Sequence, residues 1–316
     1  MLQYLIIILD DSSTSFCHYQ NPKSERWLMP IETLRQGIRF GMMENLMIQY
    51  VYPDYELPTE YAEVIESIDH SKIKPSSSRS KGEEKDANVI VLNGFQKIDK
   101  VDVPVVLRIR KRELFANEDN VMEMLDKTPR LNVVFTDVET FTEEDFEAYK
   151  ALLQKLSAKI EEMYVADKAP QLNLLTDRIM LQQTNNCGAG DTTITLAPNG
   201  KFYVCPAFYF ENATDSIGDL EHGLDIRNKQ LYKLGYAPIC RHCDAYQCKR
   251  CIWLNRKTTL EVNTPSHEQC VVAHLERNAS RELLQNIRKH GTFLPEQEEI
   301  KEIDYLDPFD KRDTWQ

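Results

Sequence analysis

Short apolar runs alternate with amphipathic stretches along residues 1–182. Runs of branched or large apolar residues predict buried strands, and apolar residues that recur every three or four positions predict helices. Strands that alternate with helices favour an α/β fold, in which helices cover a parallel sheet. The predicted strands are residues 5–9, 47–52, 89–92, 105–109, 131–135 and 172–182, and the predicted helices are residues 30–45, 59–68, 113–126 and 145–166.

The pattern changes in the next part of the chain, where cysteine, glycine and turn residues become frequent. Two alternating, β-rich runs at residues 193–196 and 201–204 flank the sequence Pro198-Asn199-Gly200, which predicts a hairpin. A hairpin returns the chain to its starting point. We therefore expect Cys187 and Cys205, at its two ends, to lie close together.

These changes in pattern predict three regions. Residues 1–182 are expected to form the α/β domain, residues 183–290 a cysteine-rich α+β domain that ends in a helix, and residues 291–316 a C-terminal tail. Within the first region, the charged and serine-rich residues 74–86 have the composition of a low-complexity loop.

Seven of the eight cysteines lie in the second region, and four of them form two C-x-x-C pairs only four residues apart. Two cysteines separated by two residues present both sulfurs to one side of a tight turn, as in zinc knuckles and iron–sulfur loops. The spacing therefore predicts metal binding. The candidate ligands are Cys187, Cys205, Cys240, Cys243, Cys248, Cys251 and Cys270.

The gap between the two pairs bears on which metal is bound. Zinc sites built from two knuckles usually separate them by roughly 12–20 residues, whereas in two-cluster ferredoxins three cysteines of a short run serve one cluster and the fourth serves its neighbour. On the second interpretation, Cys251 joins Cys187 and Cys205 at one site. The other site takes Cys270 together with Cys240, Cys243 and Cys248. Structural zinc remains the alternative.

Composition and charge restrict the remaining possibilities. The formal net charge of −12 excludes a nucleic-acid surface, which needs clustered Lys and Arg. The longest apolar runs are too short to span a membrane. The chain begins with a strand-like run and shows no signal-peptide cleavage site, so we expect a soluble, cytoplasmic protein whose cysteines bind metal and do not form disulfides.

The order of Cys187, Gly200, Cys205, a tight four-cysteine run and a final Cys270 resembles the SPASM domain of radical SAM peptide maturases. The segment 217–220 is similar to a glycine-containing turn of that domain. The resemblance implies two auxiliary [4Fe–4S] clusters, and it covers residues 187 to about 275. The third and fourth gaps between cysteines are each one residue shorter here than in the family.

The same resemblance implies that the front half is a degenerate partial (β/α) barrel of the radical SAM type. Enzymes of that family hold a reductive cluster with three cysteines, spaced by three and then two residues, after the first strand. Counted from Cys17, the matching positions are Ser13 and Gln20. Because neither is cysteine, we predict that this chain alone does not cleave SAM, and that Cys17 is a small buried hydrophobe on a loop distant from the other cysteines.

Residues 16–22 and 49–58, joined to the SPASM-like half, resemble the CXXX repeat peptide maturases. Members of that group are encoded with a radical SAM enzyme and a small precursor whose cysteines recur every fourth residue. The resemblance implies an accessory maturase that binds this cysteine-repeat precursor peptide and acts with a radical SAM partner. The alternative function is a zinc-stabilised module that presents the peptide and has no redox role.

The ligand count leads to one further expectation. Seven cysteines supply four ligands to one cluster and three to the other, which leaves one iron able to bind a cysteine of the precursor. Asp191, His242 or water are the alternative ligands at that iron.

Overall fold

A computed structural model describes residues 1–76 and 86–301 of the 316-residue chain. Parts of the predicted low-complexity loop and of the predicted tail, residues 77–85 and 302–316, lie outside the described residues. Over the residues that are described, no helix has both the length and the apolar character needed to cross a membrane.

The strands follow the predicted apolar runs closely. All of the strand predictions except the one at residues 172–182 are confirmed to within one or two residues. The strands of the described residues are β1 (Tyr4–Ile8), β2 (Met47–Val51), β3 (His70–Pro75), β4 (Val89–Asn93), β5 (Val105–Ile109), β6 (Leu131–Phe135), β7 (Thr193–Leu196), β8 (Phe202–Tyr203), β9 (Gly218–Asp219) and β10 (Gly223–Leu224).

The helices also match the predicted periodicity, although the helix predicted at residues 113–126 is divided into two at Asn117. The α-helices of the same residues are α1 (Ile31–Met43), α2 (Thr59–Ile65), α3 (Lys111–Ala116), α4 (Glu118–Leu125), α5 (Glu143–Val165), α6 (Thr176–Met180), α7 (Pro206–Glu211), α8 (Ile252–Thr259) and α9 (His267–Lys289).

The chain divides into two compact units, each built from two segments. The first unit comprises Met1–Leu92 and Cys187–Ala237, and the second comprises Asn93–Asn186 and Pro238–Gln316. The domain boundaries expected from the sequence, which assumed contiguous domains, stay a prediction.

The first unit holds a mainly parallel sheet in the order β4-β3-β2-β1-β7-β8. Every neighbouring pair is parallel except β7 and β8, which form the predicted antiparallel hairpin with Leu196 opposite Phe202. Strand β1 is central, and its residues Leu5, Ile7 and Ile8 are completely buried. A strand flanked on both sides and covered on both faces needs such a continuous apolar run.

In the second unit β5 and β6 pair in parallel, and the long helices α5 and α9 pack against each other. Helix α5 begins with a capping box, in which Thr142 and Asp145 satisfy each other's backbone N–H groups. Two helices of 23 residues supply most of the helical surface of this unit. Mixed strands and helices with parallel pairing confirm the α/β class.

The strand predicted at residues 172–182 is wrong. Leu172 forms only an isolated bridge with Leu131, and the chain then turns into α6. The reason is local, because the backbone N–H of Leu172 donates to Oγ1 of Thr176 at 2.9 Å and the hydroxyl of Thr176 donates back to the Leu172 carbonyl at 3.0 Å. A threonine hydroxyl that forms hydrogen bonds with nearby backbone groups favours a turn over continued pairing of a β-strand.

Strand β3 was missed because its sequence is polar. Its residue Lys72 is almost completely buried, and it is retained there by ion pairs with Asp86 at 2.6 Å and with Glu66. Buried charge is tolerated when it is paired. No period of apolar residues marks such a strand in the sequence.

Candidate metal centres

The second unit brings four cysteines to one cavity of about 40 Å³. They are the four that the spacing assigned to one site: Cys240, Cys243, Cys248 and Cys270. The remaining lining is largely apolar and includes Ile239, Pro265 and Ala273. The structure thus groups these thiols as predicted, and their assignment as ligands of one metal centre stays a prediction.

Tight turns present the first three thiols to the cavity. A short 3-10 turn starts at Cys240, and the backbone N–H of Cys243 donates to the Cys240 carbonyl at 3.2 Å. The N–H of Cys248 closes the next turn onto the carbonyl of Ala245 at 3.0 Å. The fourth thiol belongs to Cys270, in the first turn of α9. Residues close in sequence therefore supply three thiols, and one helix end supplies the fourth.

The described residues contain no group of three His, Cys, Asp or Glu side chains that is placed to hold a single metal ion. Four thiolates around one zinc ion would each lie about 2.3 Å from it. The four thiols surround a cavity instead, and its volume of about 40 Å³ exceeds the roughly 10–15 Å³ that one water needs. A soft, all-sulfur donor set suits structural zinc and iron–sulfur clusters alike.

Burial controls the protonation of these thiols. It raises the pKa of Cys240 to about 11 and the pKa of Cys248 to about 12, and it also raises the pKa of Cys243. Without metal, these three thiols are therefore protonated at neutral pH. Metal binding must displace their protons, so affinity is expected to rise with pH.

Buried arginines oppose this effect. Arg250 lines the cavity and lowers the pKa of Cys240, while Arg277 and Arg178 lower the pKa of Cys243. All three side chains are more than nine-tenths buried. Arg277 and Arg178 both pair with Asp244, at 2.7 and 3.5 Å. Fixed positive charge beside the cavity favours the anionic, metal-bound form of the thiols.

Backbone N–H groups also point at the sulfurs. The N–H of Ala245 donates to Sγ of Cys243 at 3.4 Å, and the N–H of Arg250 forms a hydrogen bond that lowers the pKa of Cys248. Arg250 has a φ of +46°, which is uncommon for a residue with a side chain. Such N–H donors are among the groups that set the potential of thiolate-bound iron.

His274 also lines the cavity. The sequence gave only a weak indication of this contact. Its Nε2 lies 3.3 Å from Sγ of Cys243 in a hydrogen bond, and its ring is buried. It follows Cys270 by four residues, so both side chains lie on one face of α9. His242 and His267, which are nearer to cysteines in the sequence, are exposed.

The half-buried carboxyl group of Glu276 interacts electrostatically with one of these thiols. The Tyr149 hydroxyl donates to Oε1 of Glu276 at 2.8 Å, and Nε2 of Gln247 donates to Oε2 at 3.3 Å. Burial raises the pKa of Glu276 to about 7, and the charge of Glu276 raises the pKa of Cys248. The sequence did not single out this carboxyl group, because its partners are far away along the chain.

The first unit holds two of the other candidate ligands. Cys205 is half-buried and is the N-terminal cap of α7, whereas Cys187 is exposed. Burial raises the pKa of Cys205, and the charge of Cys187 raises it further, so the hairpin does bring these sulfurs into electrostatic range. Cys251, at the start of α8, belongs to the second unit, and its grouping with these two cysteines stays a prediction.

The position expected for Cys17 is wrong. The sequence indicated a loop distant from the other cysteines, but the charge of Cys17 also raises the pKa of Cys205. Cys17 is half-buried and follows β1. Its loop packs on α7, which Cys205 caps, and this long-range packing has no sequence signal.

The loop after β1 does not fit a thiolate-held reductive cluster. Ser13 is buried, its hydroxyl donates to the Val51 carbonyl at 2.9 Å, and Gln20 is exposed. The nearby Asp10 is also buried and accepts a hydrogen bond from the Tyr55 hydroxyl at 2.8 Å. Serine and aspartate oxygens occupy this loop, and an open cluster needs three soft thiolates.

No protein-family model matches this sequence, and no curated protein does. Solved structures do match the fold. The chain is similar to anSMEcpe with bound AdoMet and Cp18Cys peptide, with a TM-score of 0.63, 12% identity and coverage of 91% of this chain and 99% of that chain. The same protein with bound AdoMet and Kp18Cys peptide gives a TM-score of 0.64, 12% identity, and coverage of 90% and 99%.

A second protein with this fold is SuiB from Streptococcus suis, bound to its precursor peptide SuiA. It gives a TM-score of 0.52, 14% identity, and coverage of 85% of this chain and 76% of that chain. These neighbours are radical SAM peptide-modifying enzymes. At such low identity the likeness shows the fold alone. This chain has the α/β partial-barrel fold of the radical SAM peptide maturases.

Proposed function

We propose that this protein is an accessory maturase of a ribosomally made peptide whose cysteines recur every fourth residue. It acts in the cytoplasm with two auxiliary [4Fe–4S] clusters, and a separate radical SAM enzyme carries out the radical chemistry. The observation that carries this proposal is the cavity lined by four thiols in the second unit. The fold supports it, because neighbours with this fold are described with bound peptides.

One cluster would be held by Cys240, Cys243, Cys248 and Cys270. The other would involve Cys187, Cys205 and Cys251. When bound, such clusters supply one-electron transfer at a potential set by their surroundings. The protein itself supplies the apolar lining of the cavity. It also supplies the arginine charges and the backbone N–H donors, which stabilise the deprotonated thiols.

Metal analysis tests the cofactor. Protein purified without oxygen is expected to be brown and to contain about eight irons per chain if both clusters are present. Colourless protein that contains zinc would instead support the zinc-stabilised presenting module. That alternative has the all-cysteine donor set in its favour, since thiolates also suit structural zinc.

A binding measurement tests the peptide role. A synthetic peptide with cysteine at every fourth position is expected to bind the metal-loaded protein, as measured by fluorescence anisotropy of a labelled peptide. A scrambled peptide of the same composition is the control. Equal binding of the two, or no binding of either, would contradict the proposed maturase role.

A product assay tests the division of labour between this protein and its partner. Reduced, metal-loaded protein mixed with SAM is expected to release no 5′-deoxyadenosine, because Ser13 and Gln20 stand where two cluster ligands are needed. The measurement is chromatography of the product against a reaction without protein. Release above that background would show that the chain cleaves SAM itself.

A further inference from the structure

One short segment of the first unit differs from the rest of the chain in its charge. Residues 226–237 contain three basic side chains, Arg227, Lys229 and Lys233, and no acidic one. The whole chain holds 50 Asp and Glu residues against 38 Lys and Arg residues, which gives a net charge of −12. A positive segment on a negative protein creates a local potential that attracts anionic groups.

The protein's own carboxylates do little to neutralise this segment. Arg227 lies 3.5 Å from Asp225, but the two side chains are 86% and 71% exposed, so this ion pair contributes little. Lys229 and Lys233 form no ion pair with any residue that the structure describes. The three basic groups are therefore available to carboxylates of another molecule.

Apolar side chains are exposed among these basic residues. Leu231 is 40% exposed and Tyr236 is 60% exposed. Tyrosine is enriched in protein interfaces, because its ring supplies a large contact area at a low cost in conformational entropy. A ligand that meets this segment thus encounters positive charge and apolar surface together.

The segment has a defined backbone and is packed on the rest of the first unit. Two short 3-10 turns span Lys229–Tyr232 and Leu234–Tyr236. The ring of Tyr232 packs directly on Gly190, where an added Cβ would lie 2.6 Å from Cγ of that ring. A surface fixed in this way loses little conformational entropy when it binds a ligand.

We infer that residues 226–237 form a docking surface for an acidic peptide segment that also carries apolar side chains. This inference rests on the proposed function and deepens it, because it assigns recognition of the precursor to residues outside the candidate metal centres. The three basic groups would pair with carboxylates of the peptide, and Leu231 and Tyr236 would contact its apolar side chains. Nucleic acid, another anionic polymer, is disfavoured by the net charge of −12.

Docking of this kind separates recognition of the peptide from the chemistry on its cysteines. The cysteines of the repeat need not touch residues 226–237, so they stay available to the partner enzyme. Ion pairs between exposed groups are screened at high ionic strength. A peptide that has the acidic stretch and no cysteine should therefore bind, and it should bind less tightly as salt is added.

The first experiment measures binding of a fluorescein-labelled peptide rich in glutamate, with leucine and serine, by fluorescence anisotropy. The test variant combines Arg227→Gln, Lys229→Gln and Lys233→Gln. We expect it to bind about tenfold more weakly than wild type, because each of three exposed ion pairs strengthens binding about twofold. The control variant removes three exposed positive charges elsewhere, by Arg39→Gln, Lys150→Gln and Lys201→Gln.

The control variant should bind as wild type does. Equal weakening by the two variants, or no binding by the wild-type protein, would overturn the inference. Binding that does not weaken as salt is added would overturn it as well.

Altered peptides test the chemistry of the ligand. Replacement of the glutamates by glutamine should remove most of the binding, and replacement of the leucines by serine should weaken it. A single-stranded oligothymidine of the same charge tests for nucleic acid as a competitor. Equal binding of the glutamine peptide, or competition by oligothymidine as strong as that by the unlabelled glutamate-rich peptide, would overturn the assignment to an acidic peptide.

The second experiment uses the unaltered protein and so does not depend on a variant that folds. Acetylation of lysines with an N-hydroxysuccinimide ester, followed by mass spectrometry, measures the reactivity of each lysine with and without the glutamate-rich peptide. We expect the peptide to protect Lys229 and Lys233 several-fold and to leave Lys150 and Lys201 unchanged. Equal reactivity of Lys229 and Lys233 in the two states would overturn the inference.

The proposed function and this inference fail in different ways. Protein that contains zinc and no iron would refute the cluster-based function. It would leave the measurement with the glutamate-rich peptide valid, because that peptide has no cysteine. Cluster-containing protein that binds the cysteine-repeat peptide but not the glutamate-rich peptide would refute the docking surface and leave the proposed function intact.

Discussion

The two cysteine regions are assembled in different ways. In the second unit, three of the four thiols come from one short run, and tight turns aim them at a cavity. In the first unit, Cys17, Cys187 and Cys205 come from separate segments, and the loop of Cys17 packs on α7, the helix that Cys205 caps. A site built from local turns is visible in the sequence spacing, whereas a site built from packing is not.

Their electrostatic surroundings differ as well. The second-unit cavity has buried arginines beside it, and these favour thiolates. Around the first-unit cysteines the loop is held by a carboxylate that bonds Tyr209 and Lys23. We therefore expect substitutions of buried charged residues to lower the free energy of unfolding more in the second unit than in the first. The following predictions test that difference.

The largest effect concerns metal content. Cys270→Ala should remove or open the second-unit site and leave the other intact, so that up to about four of about eight irons are lost. Cys205→Ala is the matched variant and should damage only the other site. Iron analysis and the spectra of the reduced proteins measure both. The two-site comparison fails if both variants lose half of a single four-iron centre.

Arg277 provides the next test. Its side chain is completely buried and pairs with Asp244, whose side chain is 30% exposed. Arg277→Met leaves that carboxylate without its nearest cation, and we expect the free energy of unfolding to fall by roughly 3 kcal/mol. Urea unfolding measures it. Lys289→Met, in the last turn of the same helix, is the control, and an equally large loss there would contradict the argument.

The pKa of Glu276 predicts a pH dependence in the metal-free protein. Burial raises this pKa from 4.5 to about 7, so the native state holds the proton more tightly than the unfolded state does. Glu276 therefore contributes roughly 3 kcal/mol to the free energy of unfolding below about pH 4.5. This contribution is lost as the pH rises through 7.

Glu276→Gln should remove this slope in the free energy of unfolding between pH 5 and 8. Urea unfolding at several pH values measures it. Glu282→Gln alters an exposed residue of the same helix and should keep the wild-type slope. Parallel slopes in wild type and Glu276→Gln would show that another group is responsible.

The smallest effect is expected in the first unit. Tyr209→Phe removes the hydroxyl that donates to Asp11, but Lys23 still pairs with that carboxylate. We expect a loss of roughly 1–2 kcal/mol in the free energy of unfolding. Tyr236→Phe, at a tyrosine that is 60% exposed, should change stability by less than about 0.5 kcal/mol. A Tyr209→Phe effect larger than that of Arg277→Met would reverse the comparison.

The α/β class and most element boundaries follow from the sequence, because strands such as β1 require a continuous apolar run and helices such as α5 carry their own capping residues. The grouping of Cys240, Cys243 and Cys248 is likewise local. The spacing of these cysteines alone predicts that their thiols face one centre.

Only the tertiary structure decided the rest. The loop of Cys17 packs on α7 because Tyr19 stacks on Phe210, a contact between residues more than 190 positions apart. Strand β3 tolerates its buried lysine because Asp86 and Glu66 reach it. Spacing along the chain reports turns and periodic faces, whose geometry is set by the backbone. It carries no information on which distant side chains burial will bring together.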